Sequence, residues 1–97
     1  MDSLARRADA VAARLTLLAN PRRLLVLCRL SEGEASVGQL QEAAGLSQSA
    51  VSQHLAKLRE GGVVATRREA QTIFYRIEDP QTARIMNALH DVFCAEA

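Results

Sequence analysis

Two sets of residues in this chain have types and spacings that could do chemistry. The first lies between Ser47 and Glu60, in the stretch SQSAVSQHLAKLRE. Wound as a helix at about 100° per residue, it puts Val51, Leu55 and Leu58 on one line. Ser49, Gln53, Ala56 and Lys57 point away from that line, and Gln48 and Ser52 flank it. An amide can pair with two atoms of an adenine edge, a hydroxyl with several base edges and an ammonium with a phosphate, so this outward face suits a DNA major groove. His54 falls near the apolar side, where packing and a hydrogen bond to backbone or phosphate are its expected roles. The second set is the two cysteines, Cys28 and Cys94. They lie 66 residues apart, far from any Cys-x-x-Cys redox or zinc spacing. Cys28 follows a run of leucines and reads alone as a core filler. Cys94 stands at the end of the last helix, where an exposed thiol without a use is a liability.

A serine- and glutamine-rich helix face is by itself an ordinary solvated surface; its neighbours are what make it a reading face. Ser36 to Ala44 (SVGQLQEAA) has the pattern of a short helix, Gly45-Leu46-Ser47 that of a tight turn, and Ser47 that of the next N-cap. Together they form a helix-turn-helix. Gly61-Gly62 stops the second helix, and VVATRR and TIFYRI then read as two strands, with Val63, Ala65 and Arg67 alternating against Val64, Thr66 and Arg68. This basic hairpin would lay Arg67 and Arg68 along the DNA backbone beside the reading helix. The expected fold is therefore mainly α with a β-hairpin wing, a winged helix-turn-helix of five helices and a two-stranded wing. Helix one runs from about Leu4 to Leu18, with Leu4, Ala8, Val11, Leu15 and Leu18 on one stripe. Helix two opens on Asn20-Pro21, a cap followed by the residue that needs no N–H, and offers Leu24, Leu25, Leu27 and Cys28 as its apolar positions. The last helix opens the same way on Asp79-Pro80 and carries Ile85, Met86, Leu89, Val92 and Phe93. That is more apolar stripe than so small a core can use, which marks helices one and five as the dimerisation elements of a homodimer.

The bulk properties set bounds. A chain of 97 residues makes one domain with a modest core. The longest apolar runs, such as LLVLC, are of helix-core length, and MDSLARR lacks a signal peptide's apolar region. A cytoplasmic protein with no membrane partner is the expectation. The net charge is +1, but residues 47–77 hold Lys57, Arg59, Arg67, Arg68 and Arg76 against Glu60 and Glu69, a local excess of +3. The positive field is thus concentrated on the reading unit. The sequence offers no nucleophile with a base, no glycine-rich phosphate loop, no paired carboxylates and no cofactor fingerprint, so neither an enzyme nor a cofactor is expected. A protein-interaction module or an antirepressor remains a second reading, compatible with the near-neutral overall charge.

From Leu18 to Cys94 the chain resembles the ArsR/SmtB family of bacterial winged-helix repressors. LANPRRLLVLCRL, SVGQLQEAAGLSQSAVSQHLAKLREGGVV and REAQTIFYRI carry the likeness. The resemblance implies a homodimer that binds an inverted-repeat operator in double-stranded DNA and leaves it when an inducer arrives. Many members sense metals through a Cys-x-Cys in the third helix or through His and carboxylate pairs in the last. Here Val37 to Ala44 contains neither Cys nor His, and His90 and Asp91 are adjacent, about 100° apart on a helix, so no metal site is expected. LVLCRL and HDVFCAE instead resemble the family's dithiol branch, whose members sense persulfides and other reactive sulfur species. That likeness implies a switch built from Cys28 and Cys94, with persulfide or polysulfide donors as inducers. A metal-responsive or generally redox-responsive repressor is the alternative within the family.

Overall fold

The N-terminal signals read from the sequence at Asn20, Ser47 and Asp79 form real caps, and α3 has one at Ser36 that was not read. Asn20 Oδ1 accepts from the backbone N–H groups of Arg22 and Arg23 at 3.0 and 3.2 Å, with Pro21 at the first helical position. Ser36 and Gln39 make a reciprocal capping box: Gln39 N donates to Ser36 Oγ at 3.3 Å and Ser36 N to Gln39 Oε1 at 2.8 Å. Ser47 Oγ accepts from Ala50 N at 3.2 Å. Asp79 accepts from the N–H groups of Gln81 and Thr82 and, at 2.6 Å, from the Thr82 hydroxyl.

The structure is a computed structural model and describes residues 2–94. Its elements run α1 (Asp2–Leu18), α2 (Pro21–Leu30), β1 (Ala35–Ser36), α3 (Val37–Ala44), α4 (Gln48–Glu60), β2 (Val64–Glu69), β3 (Thr72–Ile77) and α5 (Pro80–Cys94). α1 begins two residues ahead of the expected Leu4. The wing is larger than a two-stranded hairpin. β2 and β3 pair antiparallel from Val64↔Ile77 to Glu69↔Thr72, and β1 adds a third strand against β3 through Ala35↔Tyr75 and Ser36↔Phe74. Ser36 therefore ends a strand and caps α3, where the sequence pattern had placed it inside the helix. Strict alternation also fails at the base of the wing. Val63 and Val64 are both buried, because Val63 precedes β2 and its carbonyl accepts from Glu78 N at 2.8 Å.

One core holds the molecule together. Val51, Leu55 and Leu58 of α4 are fully buried against Val26, Leu27 and Leu30 of α2, Leu40 and Ala44 of α3, Val63 and Val64 below the wing, and Met86 of α5. α1 joins through Leu18, and it passes so close to the end of α4 that a Cβ on Gly61 would collide with Leu17 Cδ2. The turn between α3 and α4 depends on Gly45, which sits at φ 66° and donates its N–H to the Gln41 carbonyl at 2.8 Å.

α2 departs from its expected packing. Val26, Leu27 and Leu30 fill the core, which places Leu24, Leu25 and Cys28 on the far side, roughly 150° round the helix. Cys28 is exposed in the single chain and is not the core filler that the run of leucines suggested. Of the neighbours expected to pack it, only Leu27 is buried; Leu24 and Leu25 are 36% and 43% exposed.

Candidate nucleic-acid interface and thiol pair

The burial of Val51, Leu55 and Leu58 fixes which way α4 faces. Gln48, Ser49, Ser52, Gln53, Ala56 and Lys57 are all exposed on its other side, a continuous band of amides, hydroxyls and one ammonium. α3 and the Gly45 turn hold this band at a set angle to the rest of the protein. Arg22 extends the support, its Nη1 donating to the Ala44 carbonyl at 2.8 Å, directly behind the turn.

His54 is half-buried and joins a side chain, not the backbone. Arg23 Nε donates to its Nδ1 at 3.1 Å, and Arg23 Nη1 donates to the Leu17 carbonyl at 3.0 Å, so one guanidinium ties α4 to the end of α1. Burial lowers the His54 pKa, and the charges of Arg23 and Lys57 push it the same way. The imidazole is therefore held neutral, as an acceptor toward Arg23 must be.

The two wing arginines differ. Arg67 is held by Glu34 at 2.7 Å and by Glu69 at 2.9 Å, and its guanidinium lies 4.7 Å from the Phe74 ring centre. These hydrogen bonds raise the Arg67 pKa, and the one from Arg67 lowers that of Glu34. Arg67 is thus charge-compensated and clasps the wing to the segment that joins α2 to β1. Arg68 is exposed and makes no ion pair among the described residues, and the same holds for Lys57. Sequence reasoning treated Arg67 and Arg68 alike, since nothing in VVATRR shows that Glu34, 33 residues earlier, returns beside one of them.

Both cysteines are free and exposed, Cys28 on α2 and Cys94 at the last position of α5. Neither thiol lines the crevice of about 300 Å³ that Leu30, Ser31, Gly33, Arg76 and Asn87 form. Apolar side chains stand in solvent on three helices: Leu4 and Leu15 on α1, Leu24 and Leu25 on α2, and Val92 and Phe93, 67% and 73% exposed, on α5. The contribution of α2 was missed, although LLVLC is apolar on more of its circumference than one core contact needs. Among the described residues no group of three or more His, Cys, Asp or Glu is placed to hold a metal ion, and no helix is long and apolar enough to cross a membrane.

Comparison with known proteins gives this geometry relatives. The family model for bacterial regulatory proteins of the arsR family matches residues 20–66, from the cap of α2 into β2. The biofilm growth-associated repressor of Xylella fastidiosa is 44% identical over 95 residues, covering 98% of this chain and 83% of that protein. The transcriptional activator HlyU of Vibrio cholerae is 49% identical over 80 residues, covering 82% of this chain and 74% of its own length. The structure of reduced HlyU superposes with a TM-score of 0.90 at 41% identity, over 97% of this chain and 99% of that one. A domain from Mycobacterium bovis, described as a homodimeric winged helix-turn-helix DNA-binding domain, superposes with a TM-score of 0.79 at 36% identity, over 95% and 85% of the two chains. These relatives are regulators of transcription and not enzymes. With its helix-turn-helix, its wing and this degree of identity along nearly its whole length, the chain belongs to the ArsR family of bacterial regulatory proteins and has that family's winged-helix fold.

Proposed function

We propose that this regulator is a homodimeric repressor that reads an inverted-repeat DNA site with α4 and releases it when Cys28 and Cys94 are joined by sulfur. The observation that carries the reading is the exposed band on α4, Gln48, Ser49, Ser52, Gln53 and Lys57, lying over a seam that is fully buried. Gln53 and the serines are the base-edge readers; Lys57 and Arg68 meet phosphates, while Arg67 positions the wing through Glu34. The apolar residues left exposed on α1, α2 and α5 form the dimer contact, in keeping with the homodimeric relative. A two-fold reader needs its recognition helices about 34–36 Å apart, so a small rotation at that contact abolishes binding.

Cys94, at the end of α5, attacks a persulfide donor and takes up its outer sulfur as the donor leaves as a thiol. After a second such transfer the Cys28 thiolate attacks the chain and expels hydrogen sulfide, leaving a bridge with one added sulfur atom. Such a bridge reaches farther than a disulfide, whose Cα atoms lie roughly 4.4–6.8 Å apart. Cys28 and Cys94 are the only thiols in the sequence and both are exposed, which supports a link between them. Metal sensing has no comparable support among the described residues.

Binding to a duplex selected from a random pool tests the DNA reading. Gln53→Ala should narrow the gap between selected and random DNA. Lys57→Ala or Arg68→Ala should weaken both alike and lower the salt slope by about one each. Wild-type affinity at every salt in the double Lys57→Ala/Arg68→Ala variant would refute the assignment, and tight binding to another protein without DNA affinity would favour the interaction module.

A further inference from the structure

The bond between Arg23 and His54 does more than hold two helices together, because it determines which imidazole nitrogen carries the proton. A neutral imidazole has one donor and one acceptor. Arg23 Nε can only donate, and it is directed at Nδ1 across 3.1 Å, so Nδ1 is the acceptor and the proton resides on Nε2. The guanidinium cannot easily shift, since its Nη1 is engaged with the Leu17 carbonyl at 3.0 Å. Lys57, one turn further along α4, shares the His54 side of the helix and lines with Arg23 and Glu60 a cleft of about 440 Å³ between the ends of α1 and α4.

We propose that Arg23 is a positioning residue for DNA binding: it fixes His54 in the Nε2–H form, so that α4 presents a preset donor to the DNA phosphate that Lys57 also meets. The inference rests on DNA reading by α4 and adds to it a residue on α2 that touches no base. A hydrogen bond to a phosphate from a donor already held in place forgoes the cost of selecting tautomer and rotamer on binding. The same contact makes the Leu17 carbonyl at the end of α1 an anchor for the reading helix, linking the proposed dimer contact to the DNA.

The test has one arm without DNA and one with it. In the free protein, nitrogen-15 NMR of the imidazole should show His54 with Nε2 protonated and Nδ1 bare, and Arg23→Ala should release it into a tautomer mixture. Arg23→Lys, which keeps the charge but lacks the rigid fork, should loosen it as well if Arg23→Ala proves unstable. In the second arm His54→Asn keeps an acceptor near the Nδ1 position and removes the outward donor. It should weaken binding to selected and random duplexes alike by about ten-fold while its melting temperature stays near that of wild type. Adding Arg23→Ala to His54→Asn should cost much less affinity than Arg23→Ala costs alone, because the two act as one unit. A protonated Nδ1 in the wild type, a tautomer state indifferent to Arg23, or unchanged DNA affinity in His54→Asn would overturn the proposal. Failure of the wild type to bind DNA, with the tautomer arm as expected, would instead refute the reading by α4.

Discussion

Asp79 carries several roles at once. It caps α5 through two backbone N–H groups, accepts from the Thr82 hydroxyl and pairs with Arg14 of α1 at 3.2 Å. The Thr82 hydroxyl bond is the main reason its pKa is lowered, with the Thr82 N–H and Arg14 adding to it. Asp79→Ala should therefore cost roughly 1–2 kcal/mol in urea unfolding at neutral pH. A carboxylate whose folded pKa lies below its unfolded one contributes fully above about pH 4 and loses that contribution as pH falls through the folded value. The penalty of the variant should accordingly shrink in acid. His54 moves the balance in a higher window. Its lowered pKa means that the unfolded chain takes up a proton first, so stability is flat above about pH 6.5 and falls as pH drops below it. His54→Asn should remove that step and leave the Asp79 step in place. Both follow from urea midpoints measured across pH, and a pH-independent Asp79→Ala penalty would contradict the first assignment.

At the scale of elements, the tip of the wing stores strain. Glu69↔Thr72 closes the hairpin over Ala70 and Gln71, and Ala70 sits at φ 56°, where a Cβ is disfavoured. Ala70→Gly should raise stability, by about 1 kcal/mol less the entropy a glycine loses on folding, and a lower melting temperature would contradict it. No glycine marks this tip, and the hairpin was legible from the alternating strands alone. The caps at Asn20, Ser47 and Asp79 were legible because capping is local chemistry, read from a few adjacent residues. What escaped the sequence needed distant partners. β1 is two residues long and exists only through its pairing with β3, and the outward face of α2 shows itself only once Val26, Leu27 and Leu30 are seen to fill the core. The same limit applies to the site. The polar band on α4 followed from periodicity, but the Arg67–Glu34 clasp and the Arg23–His54 bond join residues more than 30 positions apart.

For the whole molecule, the question is how one face of exposed apolar side chains and one pair of thiols act on DNA some distance away. Val92 and Phe93 are among the most exposed large apolar side chains described, and the double variant Val92→Asp/Phe93→Asp should be a folded monomer by sedimentation. Its affinity for an inverted repeat should fall on the order of a hundred-fold or more, since the second half-site is then no longer engaged by a tethered copy. A variant that remained dimeric would move the contact away from the end of α5. The thiols lie on two of the three helices that bear exposed apolar side chains, α2 and α5, so a covalent link between them would act at the proposed dimer contact. The most direct test is the affinity of reduced and persulfide-treated protein for its selected inverted repeat, with intact mass read on the same samples, for the wild type, Cys28→Ser and Cys94→Ser. The wild type should lose more than ten-fold in affinity as single chains gain a bridge with added sulfur. Cys94→Ser should stay on DNA unmodified, and Cys28→Ser should stop at a persulfide and also stay bound. Normal release by either serine variant, or mass gained only in cross-linked pairs of chains, would contradict the switch.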